Sequence, residues 1–307
     1  MTVKKNNGKK QDIDEKNDRG LPPEIIELLT HSDEERIKFI LTDRWIDYYN
    51  ATEILEEMQY LLRQPKRSRM EGMLLIAPSG NGKTELLKRF IRTNVLENGG
   101  RYGFVDIPTR ATLKAFYSEL LFVLGIPNTR SETTGELQHK ILQAINQLNI
   151  RMLIVDEVHN MFESRRENIK DVLNGLKELS NQSQIPIIFS GIDLAAKTIY
   201  IEEQVSKRFP YMELPLWKND KEYRDFLYTF ECLLPLKKPS YLWKLDNATE
   251  IFSYSDGLIG DIVKIITRSA EQAIKKGSES ITSDLIKRIG ERIVAQRKYA
   301  NAPGTKQ

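Results

Sequence analysis

Short apolar runs and amphipathic stretches alternate through the middle of the chain, and that alternation predicts the fold. Strands are expected near 72–77, 102–107, 151–156, 185–190 and 211–214. Met73-Leu74-Leu75-Ile76 and Met152-Leu153-Ile154-Val155 are unbroken apolar blocks, the pattern of strands buried on both faces of a parallel sheet. Apolar residues at helical spacing predict helices near 83–97, 112–124, 134–149, 165–181 and 193–207. Strands alternating with helices imply a parallel sheet covered on both sides. After Pro215 the strand pattern stops, and 219–233, 241–254, 258–276 and 282–296 follow as helices. Ahead of the sheet, Pro22 and Pro23 suit a helix start, and Ser32 followed by Asp33-Glu34-Glu35 has the form of an N-cap with acids in the first turn. Residues 43–62 place Ile54, Leu55, Met58, Leu61 and Leu62 on one helical face, and Pro65 ends that helix. The expected organisation is a disordered polar tail over 1–20, a helical segment over 21–70, an α/β core over 71–215, a helical domain over 216–296 and a second polar tail over 297–307.

The first predicted strand runs directly into Ala77-Pro78-Ser79-Gly80-Asn81-Gly82-Lys83-Thr84, and Glu85 continues into a helix. This is the strand–loop–helix context of a phosphate-binding loop. Gly80 and Gly82 let the backbone wrap so that N–H groups point inward, Lys83 can reach the β- and γ-phosphates of ATP, and Thr84 offers a hydroxyl to Mg2+. The helix adds its positive end. Residues 78–85 are the candidate nucleotide contacts. The first position of the usual pattern is Gly, and here it is Ala77, small enough for a strand end.

A second apolar strand ends in Asp156-Glu157. Ligands of open α/β sheets bind at the carboxyl ends of the strands. Asp156, with Thr84, is therefore the candidate Mg2+ ligand, and Glu157 is the candidate that polarises an attacking water. Ser190 ends the predicted strand 185–190. Either it contacts the γ-phosphate or the water, or it simply opens the turn Ser190-Gly191-Ile192-Asp193. Arg208 closes a predicted helix and is expected to face outward. Such a cation completes a neighbouring subunit's site or complements its own helix dipole.

Composition narrows the setting. The 307 residues suffice for a core plus a smaller module, and a net charge of +3 permits nucleic-acid binding without arguing for it. Cys232 is the single cysteine, which excludes an intrachain disulfide and fits a reducing cytoplasm. The polar N-terminus lacks the apolar stretch of a secretion signal, and no run approaches the roughly 18 apolar residues of a membrane span. His31, His139 and His159 are scattered, against a His/Cys metal site. The first twenty residues are either a solvated tail or a basic arm.

The order of these parts resembles the AAA+ ATPases: a P-loop NTPase core of parallel sheet flanked by helices, with a helical lead-in and a C-terminal helical lid. Within that group the chain resembles the TniB and TnsC-like transposition ATPases, relatives of MuB. The likeness is carried by Asp43-Arg44-Trp45-Ile46-Asp47-Tyr48, by residues 69–84, by Leu153-Ile154-Val155-Asp156-Glu157-Val158-His159-Asn160, by Pro186-Ile187-Ile188-Phe189-Ser190-Gly191 and by Gly257-Leu258-Ile259-Gly260-Asp261-Ile262. It implies a bacterial, cytoplasmic ATPase that assembles head-to-tail on double-stranded DNA and recruits or activates a transposase together with a target-selection protein. ATP hydrolysis then drives disassembly. It also implies a trans-acting role for Arg208. Many AAA+ lids carry an Arg where this chain has Gly260. Either Lys264, one turn later, replaces it, or the lid senses the γ-phosphate weakly. By the same likeness, Thr109, Arg110, Thr112 and Lys114 face a DNA channel, where they would contact phosphates and not bases. The plain alternative is a capped helix start with solvated charges.

Three other readings compete. Asp156-Glu157-Val158-His159 also matches the D-E-x-H motif of helicases, which need a second nucleotide core that residues 216–296 do not supply. An AAA+ loader or remodeller of a replication or secretion partner is a further reading, and an ATP-gated signalling switch without nucleic acid is another.

Overall fold

A computed structural model describes residues 19–42, 44–98, 101–109, 111–200 and 207–300. The elements run in the order α1 Pro23–Leu28, α2 Asp33–Ile40, α3 Tyr49–Arg63, β1 Met73–Ile76, α4 Lys83–Asn98, β2 Arg101–Asp106, α5 Leu113–Val123, α6 Thr134–Gln147, β3 Ile150–Asp156, a 3-10 turn Val158–Glu163, α7 Arg166–Ser183, β4 Ile187–Gly191, α8 Asp193–Ile199, β5 Tyr211–Glu213, α9 Lys221–Cys232, α10 Leu245–Ser255, α11 Ile259–Lys275 and α12 Ser283–Ala300. The chain divides into two compact units, residues 1–46 with 216–307, and residues 47–215.

The second unit, from α3 to β5, is the α/β core. All five strands are parallel, in the order β2-β3-β4-β1-β5. The central strands β1 and β4 are buried at every residue, as their apolar runs require, whereas β2 and β5 at the edges alternate between exposed and covered positions. A core of Leu74, Val105, Leu153, Val155, Ile187 and Phe189 fills the sheet and meets Phe116, Tyr117, Leu173 and Leu176 from the helices. Because β4 lies between β1 and β3, the phosphate loop, Ser190 and the Asp156-Glu157 pair leave the same edge of the sheet on adjacent strands.

The other unit is helical. Its helix α11 buries Ile262, Ile265, Ile266, Ala270, Ala273 and Ile274, the three- and four-residue spacing of one apolar face. Ser32 caps α2 in a capping box with Glu35. The expected helical segment 21–70 does not hold together as one piece, because α2 belongs with the C-terminal helices. A buried ion pair marks the join. Arg36 is fully buried and donates to both oxygens of Glu279 at 2.7 and 2.6 Å, and to the carbonyl of Pro235 at 2.9 Å. A buried guanidinium is tolerated only when paired in this way. Glu279 is correspondingly held below the usual carboxylate range: burial pushes it up, but Arg36, the Lys237 amide and the Lys237 charge together outweigh that.

Three element boundaries differ from the sequence expectation. The helix expected over 43–62 starts at Tyr49, since Arg44 instead stacks on the Phe39 ring and donates to its carbonyl. Asp43 lies outside the described residues. Helix α8 ends at Ile199, and residues 201–206 of the expected helix 193–207 are outside the described residues. Helix α12 continues to Ala300 through four residues assigned to the polar tail, while 301–307 are not described. At the other end Arg19 donates to the Leu236 carbonyl at 3.1 Å; the rest of the expected N-terminal tail, residues 1–18, lies outside the described residues. Among the described residues no helix is long and apolar enough to cross a membrane.

Candidate functional site

The loop between β1 and α4 takes the conformation its glycines allow. Gly80 and Gly82 have φ of 77° and 84°, the left-handed region that side chains avoid. Helix α4 begins at Lys83, so its unpaired N–H groups open onto the loop. Asn81 is buried and donates to the carbonyls of Leu214 and Pro215 at 2.9 and 3.0 Å, anchoring the loop to the segment after β5. Pro78, Ser79 and Glu85 lie along the same stretch. Lys83 is 6% exposed, and its ammonium donates to the carbonyls of Ala77 and Pro78 at 2.9 and 3.2 Å. Burial lowers its pKa, and the carboxylates of Asp156, Glu157 and Asp193 pull it back. The net shift is downward, and an anion bound in the loop would favour the charged amine.

The acidic strand meets this loop directly. The Thr84 hydroxyl donates to Asp156 Oδ2 at 2.8 Å. Asp156 is buried, and its other oxygen accepts from the Glu157 N–H at 2.9 Å. A hydroxyl and a carboxylate side by side form a set of hard oxygen donors. Among the described residues no group of three or more His, Cys, Asp or Glu stands ready to hold a metal by itself. The Thr84–Asp156 pair fits Mg2+, which binds through one or two protein oxygens plus water and substrate phosphates. Asp106, paired in register with Asp156, has its carboxyl pushed up by desolvation and by the Asp156 charge.

Glu157 sits at φ 55°, ψ 35°, a left-handed backbone in a non-glycine residue. Its carbonyl accepts from Asn160 N–H at 2.9 Å, and the Asn160 side chain donates to Ile107 O at 2.9 Å, tying the turn after β3 to the segment after β2. The Glu157 carboxylate lies 3.0 Å from His159 Nε2. Ser190 is completely buried in β4, and its hydroxyl has no hydrogen-bond partner among the described residues.

Arg208 departs from the outward orientation expected of it. Its guanidinium is buried, donating through Nε to Met70 O, through one amino group to Asn181 Oδ1 at 2.7 Å and through the other to Ser180 Oγ at 2.9 Å. Neighbouring Phe209 packs on Phe189 in the core and draws the preceding residue inward. In this conformation Arg208 staples the entry of β1 to α7 and offers no cation to a neighbour. Arg208→Ala strips three acceptors of their donor, and we expect it to lower the stability of the core by about 3 kcal/mol. Urea unfolding checks this; an unchanged midpoint would return Arg208 to the surface.

Of the candidate DNA contacts, Thr109 and Lys114 are exposed. Thr112 is the N-cap of α5, its hydroxyl accepting from Ala115 N–H at 3.2 Å and keeping its own proton for another acceptor. Lys114 Nζ donates to Arg130 O at 2.9 Å, and Arg110 lies outside the described residues. In the helical unit, Lys264 is exposed and 3.5 Å from buried Asp261, whose second oxygen is 3.2 Å from Arg297 Nε. The sequence pattern assigns no role to His159, Asn160 or Gly191. Only the D-E-x-H spacing points at the first of them.

The profile of the family described as "TniB: Bacterial TniB protein" matches residues 36–219. Among solved structures, Cdc6p from Pyrobaculum aerophilum is similar with a TM-score of 0.63 at 15% identity, over 86% of this chain and 74% of that one. The ORC2 protein of Aeropyrum pernix, in ADPNP and ADP complexes, gives 0.60 at 17% identity, over 82% and 71%. Drosophila ORC bound to DNA gives 0.60 at 15% identity, over 90% and 70%. At these identities the likeness establishes the AAA+ fold. No curated protein matches the sequence.

Proposed function

Since the chain belongs to the TniB family and is an ATPase of AAA+ fold, we propose that it is an ATP-dependent, double-stranded-DNA-binding regulator of transposition. In this reading it assembles head-to-tail on target DNA and recruits or activates a transposase, with a target-selection protein as further partner. Hydrolysis of ATP to ADP and phosphate releases the assembly. The observation that carries the nucleotide chemistry is the 2.8 Å contact between Thr84 and Asp156, which joins the phosphate loop to the acidic strand. The α4 N-terminus and Lys83 bind the phosphates. Thr84 and Asp156 would hold Mg2+, which neutralises charge on the β- and γ-phosphates. Glu157 accepts a proton from the attacking water, and Ser190, on the strand between them, takes the role of γ-phosphate sensor in this reading.

The DNA-associated part is supported by the family and by neighbours solved with DNA, such as Drosophila ORC. Thr109, Arg110, Thr112 and Lys114 are its proposed phosphate contacts. Replacing Arg110 and Lys114 together by Ala should weaken binding and lower the slope of log K against log salt by about 2, roughly 0.9 for each phosphate that is no longer neutralised. Fluorescence anisotropy across a salt series measures this, and an unchanged slope moves the DNA surface elsewhere.

Electron microscopy of the protein with duplex DNA, with and without a non-hydrolysable ATP analogue, tests the whole reading. Nucleotide-dependent rings or filaments on the duplex are expected, since head-to-tail contacts either close or propagate. Bare DNA under both conditions would instead favour a loader of a protein partner or an ATP-gated switch.

A further inference from the structure

We propose that His159 is a positioning residue for hydrolysis: its Nε2–H holds one oxygen of the Glu157 carboxylate so that the other is presented to the attacking water. The proposal rests on Glu157 being the base. Nε2 and Glu157 Oε2 are 3.0 Å apart. A carboxylate only accepts, so the proton in this contact is on the ring nitrogen. With Oε2 held, Oε1 keeps its lone pairs for water.

The surroundings explain why a second group is required here. The backbone of Glu157 is pinned on both sides: its N–H donates to Asp156 Oδ1 and its carbonyl accepts from Asn160 N–H, both at 2.9 Å. These bonds maintain a left-handed backbone that persists in a non-glycine residue only when its neighbours hold it. They locate the Cα but leave the rotation of a long, 41% exposed side chain undetermined. His159 supplies that constraint from two residues along the same turn.

The ring is in turn seated by packing. Its second nitrogen, Nδ1, is buried and has no hydrogen-bond partner among the described residues. It lies against the end of β4 at Gly191, where a Cβ would stand 3.5 Å from both the His159 N and Nδ1 and only 2.6 Å from Ala195 Cβ. The Gly191 carbonyl accepts from the N–H of Ala77, the first residue of the phosphate loop, at 3.1 Å. Gly191 is therefore bonded to the phosphate loop through its backbone and, having no Cβ, leaves room beside the imidazole.

The test is ATPase kinetics of the full chain with duplex DNA, comparing wild type with His159→Ala, His159→Gln, Glu157→Gln and the double variant His159→Ala/Glu157→Gln. Binding of a fluorescent ATP analogue serves as the folding control. His159→Ala should lower kcat by about ten- to hundred-fold, the scale of a misplaced reacting group, while KM stays within about two-fold. In His159→Gln the amide nitrogen reaches the place of Nε2 and should restore much of kcat, which a purely structural loss would not do. The double variant should be no slower than Glu157→Gln alone. Unchanged or faster turnover in His159→Ala overturns the proposal, as does a Gln variant as impaired as Ala. Wild-type turnover in Glu157→Gln instead overturns the assignment of the base, an outcome separate from either result at His159.

Discussion

In the Glu157→Gln variant ATP should still bind, hydrolysis should fall by about 10²–10⁴-fold, and protein should remain on DNA after ATP is added. The amide preserves the shape of the side chain but cannot take a proton from water. Binding should survive because the residues proposed to hold the phosphates are elsewhere: Lys83 and the α4 N-terminus on one strand end, Thr84 and Asp156 joined at 2.8 Å beside them. The Glu157 backbone is held by its own bonds to Asp156 and Asn160, so the substitution leaves the turn intact. If hydrolysis releases the assembly, a variant that binds and cannot hydrolyse stays assembled. Single-turnover ATPase assays and a DNA-dissociation time course measure the two halves independently. Hydrolysis at the wild-type rate would remove Glu157 from the base role. Abolished hydrolysis with normal dissociation would leave the chemistry standing and sink the coupling to DNA release.

Lys83→Ala should be the other large effect, weakening ATP binding by at least about 100-fold, as expected when a charged hydrogen-bond donor to phosphate is deleted. The ammonium is nearly buried, with its carbonyl partners in the loop itself. In the proposed role phosphate oxygens replace those partners on binding, and no other cation in the described loop substitutes for the amine. The loop should survive the substitution, because its shape comes from the positive φ of Gly80 and Gly82 and from Asn81 bonded to Leu214 and Pro215. Isothermal titration of ATP together with a thermal melt distinguishes weakened affinity from failed folding. Affinity within about ten-fold of wild type would mean that Lys83 does not contact phosphate.

Much of the core is legible along the chain because its signals are local. The apolar blocks at 73–76 and 152–155 are buried strands, since a strand covered on both faces has no polar side to alternate with. The glycines of the phosphate loop and the acids after β3 stand where a strand–loop–helix context requires them. Other features are hidden because their causes are far apart in sequence. Arg36 finds Glu279 across 243 residues, so the grouping of α2 with the C-terminal helices is invisible to periodicity. A cation at a predicted helix end suggests solvent, yet Phe209 beside it is core, and Met70, Ser180 and Asn181 supply acceptors from distant segments.

The sequence by itself determined the strand–helix alternation, the phosphate loop from Ala77 to Thr84 and the acidic end of β3, because each depends on residues within one or two turns of one another. Only the tertiary structure decided that Arg208 faces inward, that the N-terminal helices join the C-terminal unit, and that Gly191 and His159 meet beside Glu157. Those outcomes turn on which buried charge finds a partner and which side chain leaves room for another. Both are settled by packing between strands and helices far apart in the chain, where the pattern of neighbouring residues carries no information.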